Sequence, residues 1–334
     1  MPPSRSPLLS RLRNPWTDHR AERTLGAVAL FVCLCVLVMI VLVAQRAWPI
    51  FAHNGLSWLG SGGSLKAQIE TMLNASANPP ASAYHLRAWP IIYGTLLITG
   101  LAVLVALPLS VLSSIFIVEL APVPMRRTMV RVVRLLASVP SVVWGLIGIL
   151  VLVPFIDSHL ITSSEKTSLQ GTAQLSGEGL APAVLVLALM ITPIMVALIC
   201  DALAAVPAAW REGAAALGVN RLRAIRAVTL RAVRPAIVAA VVLATARALG
   251  EAIMISMVSG SVFFSPRPGD GVAFFFEPLR TLASTIVDYH EGVSAPALSA
   301  ALYALALLLL FSAFVLSIGG YLIKLPLRKY QVRG

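Results

Sequence analysis

Residues 210–235 read WREGAAALGVNRLRAIRAVTLRAVRP. The stretch holds six arginines (Arg211, Arg221, Arg223, Arg226, Arg231, Arg234), one acid (Glu212) and a run of alanines. Apolar runs at 181–200 and 236–258 flank it. Gly218-Val219-Asn220 interrupts its helical pattern as a turn between two helices would. The spacing predicts a helix–turn–helix at a membrane face, with small side chains open to a partner. A solvated basic loop that only fixes topology is the plainer alternative, but topology alone does not demand the alanines or the glycine.

Working outward, the chain of 334 residues is 58% hydrophobic and 12% charged. That is the profile of a multi-pass membrane protein rather than a soluble domain. The net charge of +12 does not point to nucleic acid, because the basic residues cluster at the ends of apolar runs. Cys33, Cys35 and Cys200 lie in or at the end of such runs without metal-ligand spacing. No disulfide and no metal site are expected.

Six apolar runs are long enough to span a bilayer: 25–44, 91–118, 135–156, 181–200, 236–258 and 297–323. The first is too long for a cleaved leader and reads as a retained anchor. A polar connection at 45–89 follows it, with a short amphipathic helix expected near 65–73. Pro108, Pro140 and Pro193 fall inside spans, where each frees a carbonyl that neighbours must satisfy. Further polar connections lie at 157–180 and 259–296. The domains expected are a cytoplasmic segment 1–24, the first span with its outer connection 25–90, a core 91–323 carrying a loop at 206–235, and a cytoplasmic tail 324–334.

Charge sets the orientation. The N-terminal segment, the 119–134 connection, the 210–235 stretch and the tail hold 19 of the 26 lysines and arginines. Six sit in the opposite connections. The bias puts both termini and Glu212 in the cytoplasm.

Arg247 and Glu251 are the only charges well inside an apolar run. Their spacing of four places them on one helix face, within reach of each other. A charge at the centre of a bilayer costs about 2.5–3.5 kcal/mol even on the lenient insertion scale, so it needs a partner or water. A structural ion pair and a substrate contact both meet that need. An ionisable pair inside a membrane favours the substrate contact. No catalytic constellation accompanies it. The chain has no Gly-Lys dipeptide and hence no phosphate-binding loop of the Walker type, and no His-Glu-x-x-His.

The 210–235 stretch resembles the coupling loop of ABC-importer permeases, whose pattern is Glu-Ala-Ala, three residues, Gly, nine residues, Ile-x-Leu-Pro. Glu212, Ala214 and Gly218 fall in register, with Ala215 beside them, and Val228 and Leu230 take the later apolar places. Gly213 replaces the first alanine and Arg231 the proline. The resemblance implies a type I ABC-importer permease fold: an all-α polytopic protein with six transmembrane helices and both termini cytoplasmic. A narrower resemblance rests on Tyr93-Gly94-Thr95-Leu96, on Ser138-Val139-Pro140-Ser141-Val142-Val143-Trp144-Gly145 and on Arg247-Ala248-Leu249-Gly250-Glu251. It is to the permeases of the phosphate-specific ABC importer, of the PstC type.

That resemblance implies transport of inorganic phosphate across a bacterial inner membrane. The path would involve Arg247, Glu251, Ser138, Pro140, Ser141 and Thr95. It implies no cofactor in this chain, with ATP used by a partner ATPase dimer of the PstB type. A sister permease of the PstA type and an extracytoplasmic phosphate-binding protein of the PstS type complete the set. In the mechanism expected, Glu251 neutralises Arg247 in the empty site. Phosphate then competes for the planar guanidinium, while Glu251 accepts from a protonated phosphate oxygen and repels sulfate. A permease for molybdate or sulfate is the alternative within the class. A stand-alone secondary transporter is the alternative outside it, though the halves show no repeat.

Overall fold

The computed structural model describes residues 15–161 and 175–327. Residues 1–14, 162–174 and 328–334, on which part of the charge argument rests, lie outside the described residues. The described chain is helical, and its only bridge outside helices joins Gly260 to Leu279. Among the described residues, six helical segments are long and apolar enough to cross a membrane.

The first, α1 (Pro15–Asn54), is one helix of 40 residues. It runs about ten residues past the apolar stretch, so the outer connection begins at Gly55 rather than at 45. From Leu25 to Val41 its apolar side chains are exposed, as lipid contact requires. Its end is pinned by Asn54. That amide donates to the carbonyls of Ile50 (2.9 Å) and Tyr84 (2.7 Å), and its oxygen accepts from the Leu86 N–H (3.2 Å). The short helix α2 (Leu65–Leu73) forms where its amphipathic pattern predicts it, started by the Ser64 hydroxyl accepting from the Ala67 N–H. Leu65, Ile69 and Met72 pack on Ala47, Ile50 and the start of the last span.

The second span is α3 (Trp89–Ile115), extended by one wide turn over Phe116–Leu120. Next comes α4 (Val123–Ala137), and here the structure corrects the sequence reading. The third span does not begin at 135. α4 is a separate amphipathic helix that carries Arg126, Arg127, Arg131 and Arg134 and buries no residue completely. It ends at Ser138, and Pro140 starts the span proper: α5 (Ser141–Ile147), a wide turn, then α6 (Val153–His159). Proline disfavours helix at the residue before it, which accounts for the boundary.

The fourth span, α7 (Leu180–Ala204), is the most enclosed, with two thirds of its apolar window buried. Ala183 and Ala188 meet Ala102 and Ala106 of α3 and Ala244 and Ala248 further along the chain, all at 0–1% exposure. Small side chains let backbones approach where lipid offers no hydrophobic drive between helices. The loop at 206–235 forms α8 (Ala208–Ala216), a turn with Gly218 at φ +73°, and α9 (Arg221–Ala224), capped by the Asn220 side chain on the Arg223 N–H (2.9 Å). The predicted helix–turn–helix is therefore present.

The fifth apolar run is not one helix. It divides into α10 (Leu230–Leu249) and α11 (Ile253–Val258) around a break at 250–252. An irregular outer segment leads to α12 (Leu282–Asp288), and α13 (Pro296–Leu327) is the last span.

The outer segment is fitted against bare backbone. A Cβ added at Gly94 would lie 2.3 Å from the Arg280 carbonyl oxygen, and one at Gly179 2.6 Å from that of Phe276. Backbone cannot swing aside as a side chain can, so Gly94→Ala must push α3 from residues 279–282. The expected cost is about 1–3 kcal/mol, the scale of overpacking. It should appear as a lower melting temperature of the purified chain in detergent.

Candidate functional site

The break in the fifth run decides where its charges go. Gly250 and Glu251 donate to the carbonyls of Arg247 and Ala248, both at 3.2 Å. These bonds reach back three residues, so the helix tightens and stops instead of adding a turn. Glu251 thus leaves the helix, and the i, i+4 relation to Arg247 is lost. No ion pair or hydrogen bond among the described residues joins the two side chains. Arg247 is exposed on the last turn of α10 and Glu251 is half-buried in the break. The expected neutralising pair is corrected accordingly. Arg247 instead sits beside the carbonyls that end α10, where a cation is favoured.

The break abuts the third span. A Cβ at Gly145 would lie 2.7 Å from Met257 Sδ and 3.2 Å from Met254 Cα, and one at Gly148 2.6 Å from Val258 Cγ1. The two glycines let α11 lie directly on α5 and the turn after it. Gly145 therefore stands next to α11, while Ser141 opens α5 one turn earlier and Ser138 and Pro140 form the exposed joint between α4 and α5. The Ser138 hydroxyl donates to the Leu135 carbonyl at 2.7 Å.

Thr95 has a different place from the one expected. It is buried, its hydroxyl donates to the Ile91 carbonyl (2.7 Å), and its oxygen accepts from the Leu282 N–H (2.9 Å). The proton is already used, so Thr95 anchors the outer segment and offers no donor to a passing anion. The groove beside it, about 550 Å³, is walled by Leu96, Val103, Leu249, Leu308 and Phe311 and contains no cation.

At the opposite end, Glu212, Ala215 and Gly218 are exposed while Ala214 is turned inward. Leu217 and Leu222 flank the turn at 84% and 71% exposure, a pair of apolar knobs on a basic surface. Arg211 holds the loop in place. Its Nε lies 3.5 Å from the carboxylate of the buried Glu119, and its Nη2 donates to the carbonyls of Leu203 (3.1 Å) and Val206 (3.4 Å) at the end of α7. Arg221 Nη2 donates to the Glu119 carbonyl.

Sequence reasoning missed this clamp, because Glu119 lies far along the chain and looked like one more residue of a basic connection. It also missed Arg280, counted only as an outer cation. Arg280 is 8% exposed, pairs with Asp288 at 3.0 Å, and lies over the rings of Phe263 (4.6 Å) and Tyr289 (5.3 Å). No local spacing signals it. Nearby, Glu277 is fully buried and accepts from the Arg267 N–H at 2.9 Å. Burial pushes its carboxyl above the ordinary value of 4.5, opposed by the Arg267 N–H and reinforced by Asp270.

The family described as binding-protein-dependent transport system inner membrane component matches residues 122–323. A probable ABC transporter permease protein of Bacillus subtilis is 32% identical over 85% of this chain and 83% of its own. The phosphate transport system permease protein PstC of Pasteurella multocida is 30% identical over 94% of each chain. The PstC 1 protein of Mycobacterium tuberculosis is 37% identical over 67% of this chain and 66% of its own. Among solved structures, a bacterial alginate ABC transporter in complex with an alginate-bound periplasmic protein aligns over 93% of this chain and 96% of its own, at 16% identity and a TM-score of 0.53. That likeness bears on the fold alone.

Two measurements test the anchoring of the outer segment. Thr95→Val leaves the buried Leu282 N–H without an acceptor and should cost about 1–3 kcal/mol in thermal unfolding. Thr95→Ser, which keeps the oxygen, should recover most of it. Glu277 has a raised pKa in the folded chain, so its contribution is favourable below the ordinary value of 4.5 and is lost as pH rises through the folded value. Glu277→Gln removes that loss. The variant should therefore gain stability over the parent as pH goes from acidic to neutral, and match it under acidic conditions.

Proposed function

The chain belongs to the family of binding-protein-dependent transport system inner membrane components, and from that premise we propose that it is a permease subunit through which an ABC importer carries inorganic phosphate into the cell. It is a multi-pass membrane protein of a transport system rather than an enzyme in its own right. What supports phosphate is that relatives named for phosphate transport match along most of their length. What supports the path is Arg247, an exposed guanidinium at the end of a span that breaks and turns aside.

In this reading both termini and the 206–235 loop face the cytoplasm. Glu212, Ala214, Ala215 and Gly218 meet an ATPase dimer, which hydrolyses ATP; this chain holds no cofactor. A sister permease of the PstA type forms the opposite wall of a water-filled route that Arg247 faces, and a phosphate-binding protein of the PstS type delivers the ion from outside. A phosphate ion cannot cross about 30 Å of hydrocarbon without compensating charge. Arg247 supplies that charge through two parallel N–H donors, a geometry lysine lacks. Because Glu251 is not paired with it, the guanidinium is free to meet the ion without first breaking a salt bridge. Ser138, Pro140 and Ser141 lie beside the same route at the start of the third span.

Uptake of labelled phosphate in cells lacking the native chain tests this. Arg247→Gln should abolish uptake while the complex still co-purifies with its ATPase, and Arg247→Lys should retain only a small part. Uptake at the parental rate in Arg247→Gln would remove Arg247 from the path.

A further inference from the structure

Where the end of the second span meets the 206–235 loop, a cleft of about 420 Å³ opens. Glu119, Arg126, Arg211, Arg221 and Thr229 bring every polar side chain of its wall. We propose that this cleft is a second oxyanion site, separate from the translocation path, that takes a phosphoryl group: free phosphate, or the phosphate tail of a nucleotide.

The argument begins with how each charge is used. Arg211 Nε faces the Glu119 carboxylate as an ion pair at 3.5 Å, without a hydrogen bond, and its Nη2 donates to the carbonyls of Leu203 and Val206. Glu119 is therefore already neutralised. Arg221 gives one nitrogen to the Glu119 carbonyl, a neutral group, and keeps its charge. Arg126 stands half-buried in the same wall and joins no ion pair among the described residues. Two positive charges remain uncompensated, the complement of a phosphate dianion. The Thr229 hydroxyl, on a residue 1% exposed, has no hydrogen-bond partner. A buried hydroxyl without a partner is costly, and a ligand oxygen would satisfy it. Both free cations are arginines, whose planar forks suit tetrahedral oxyanions.

The position gives the site consequences. Arg126 comes from α4 and Arg221 from α9, so an anion between them would bridge the amphipathic helix to the loop proposed to meet the ATPase. The inference rests on that reading only in placing the cleft on the cytoplasmic side.

The test uses the full chain in nanodiscs with Cys33, Cys35 and Cys200 changed to serine. Ala215→Cys places a thiol in the cleft wall and Leu217→Cys places one outside it. Each is labelled with neutral N-ethylmaleimide in inorganic phosphate, in ADP, in ATP, or in potassium chloride of matched ionic strength. Phosphoryl ligands should slow labelling several-fold at Ala215→Cys and leave Leu217→Cys unchanged. Stronger protection by inorganic phosphate assigns the site to the free ion, and stronger protection by nucleotides assigns it to a phosphate tail. Adding Arg126→Gln, or independently Arg221→Gln, should abolish protection, and Arg126→Lys should restore part of it. Equal labelling in all four solutions, or protection that survives both glutamine variants, would overturn the site. Repeating the series with Arg247→Gln separates the two readings. Protection that persists there belongs to the cleft, and lost uptake without any protection counts against the cleft alone.

Discussion

A peptide group that leaves helical geometry inside a bilayer must find its hydrogen bond in protein, because hydrocarbon offers none. At 250–252 the Gly250 and Glu251 N–H groups meet that demand locally, on the Arg247 and Ala248 carbonyls, and past α11 the irregular segment meets it with distant partners. Beyond the break, the Val258 carbonyl accepts from the Gly179 N–H (3.0 Å), that of Ser259 from Leu279 (2.9 Å) and that of Glu277 from Leu180 (3.1 Å). Thr95 takes the Leu282 N–H. Close approach needs glycine: at 94 and 179 a Cβ would collide with the backbone of residues 276–280, and at 145 and 148 with α11. The same constraint ends α10 two residues after Arg247 and frees that side chain from a helical partner.

The other end follows a different logic. There the chain is polar, and the problem is to hold a short helix pair against the spans. Arg211 solves it by joining three elements at once: the Glu119 carboxylate after α3, the last carbonyls of α7, and α8 itself. Removing either member would leave a largely buried charge without its counterpart, an expensive state in a medium of low polarity. Motion of the loop is thereby tied to motion of the second and fourth spans. The break and the clamp lie towards opposite ends of α10, in one bundle cored by Ala102, Ala106, Ala188, Ala244 and Ala248.

The sequence made the spans, α2 and the turn at Gly218 legible, because apolar length, amphipathic spacing and a glycine at positive φ are local signals. The third-span boundary was misread, since the apolar residues of α4 merge with those of α5 and only Pro140 separates them. The fifth-span break was missed because 236–258 reads as one apolar run around Arg247 and Glu251, and no proline marks where the helix stops. The residues at 247 and 251 were legible as unusual charges, but their pairing was not, since it assumed an unbroken helix. Arg280 with Asp288, and Arg211 with Glu119, depend on contacts between distant segments that no spacing rule reveals.

The central claim is that the fifth run breaks after Leu249 and turns Arg247 and Glu251 toward water within the assembled transporter. Single cysteines placed from 244 to 254 in the complete complex, challenged with a membrane-impermeant thiol reagent, test this most directly. Labelling at 247 and 251 with protection at 244, 248 and 254 is the expected pattern. Uniform protection across the series, as an unbroken lipid-facing helix would give, would contradict the account.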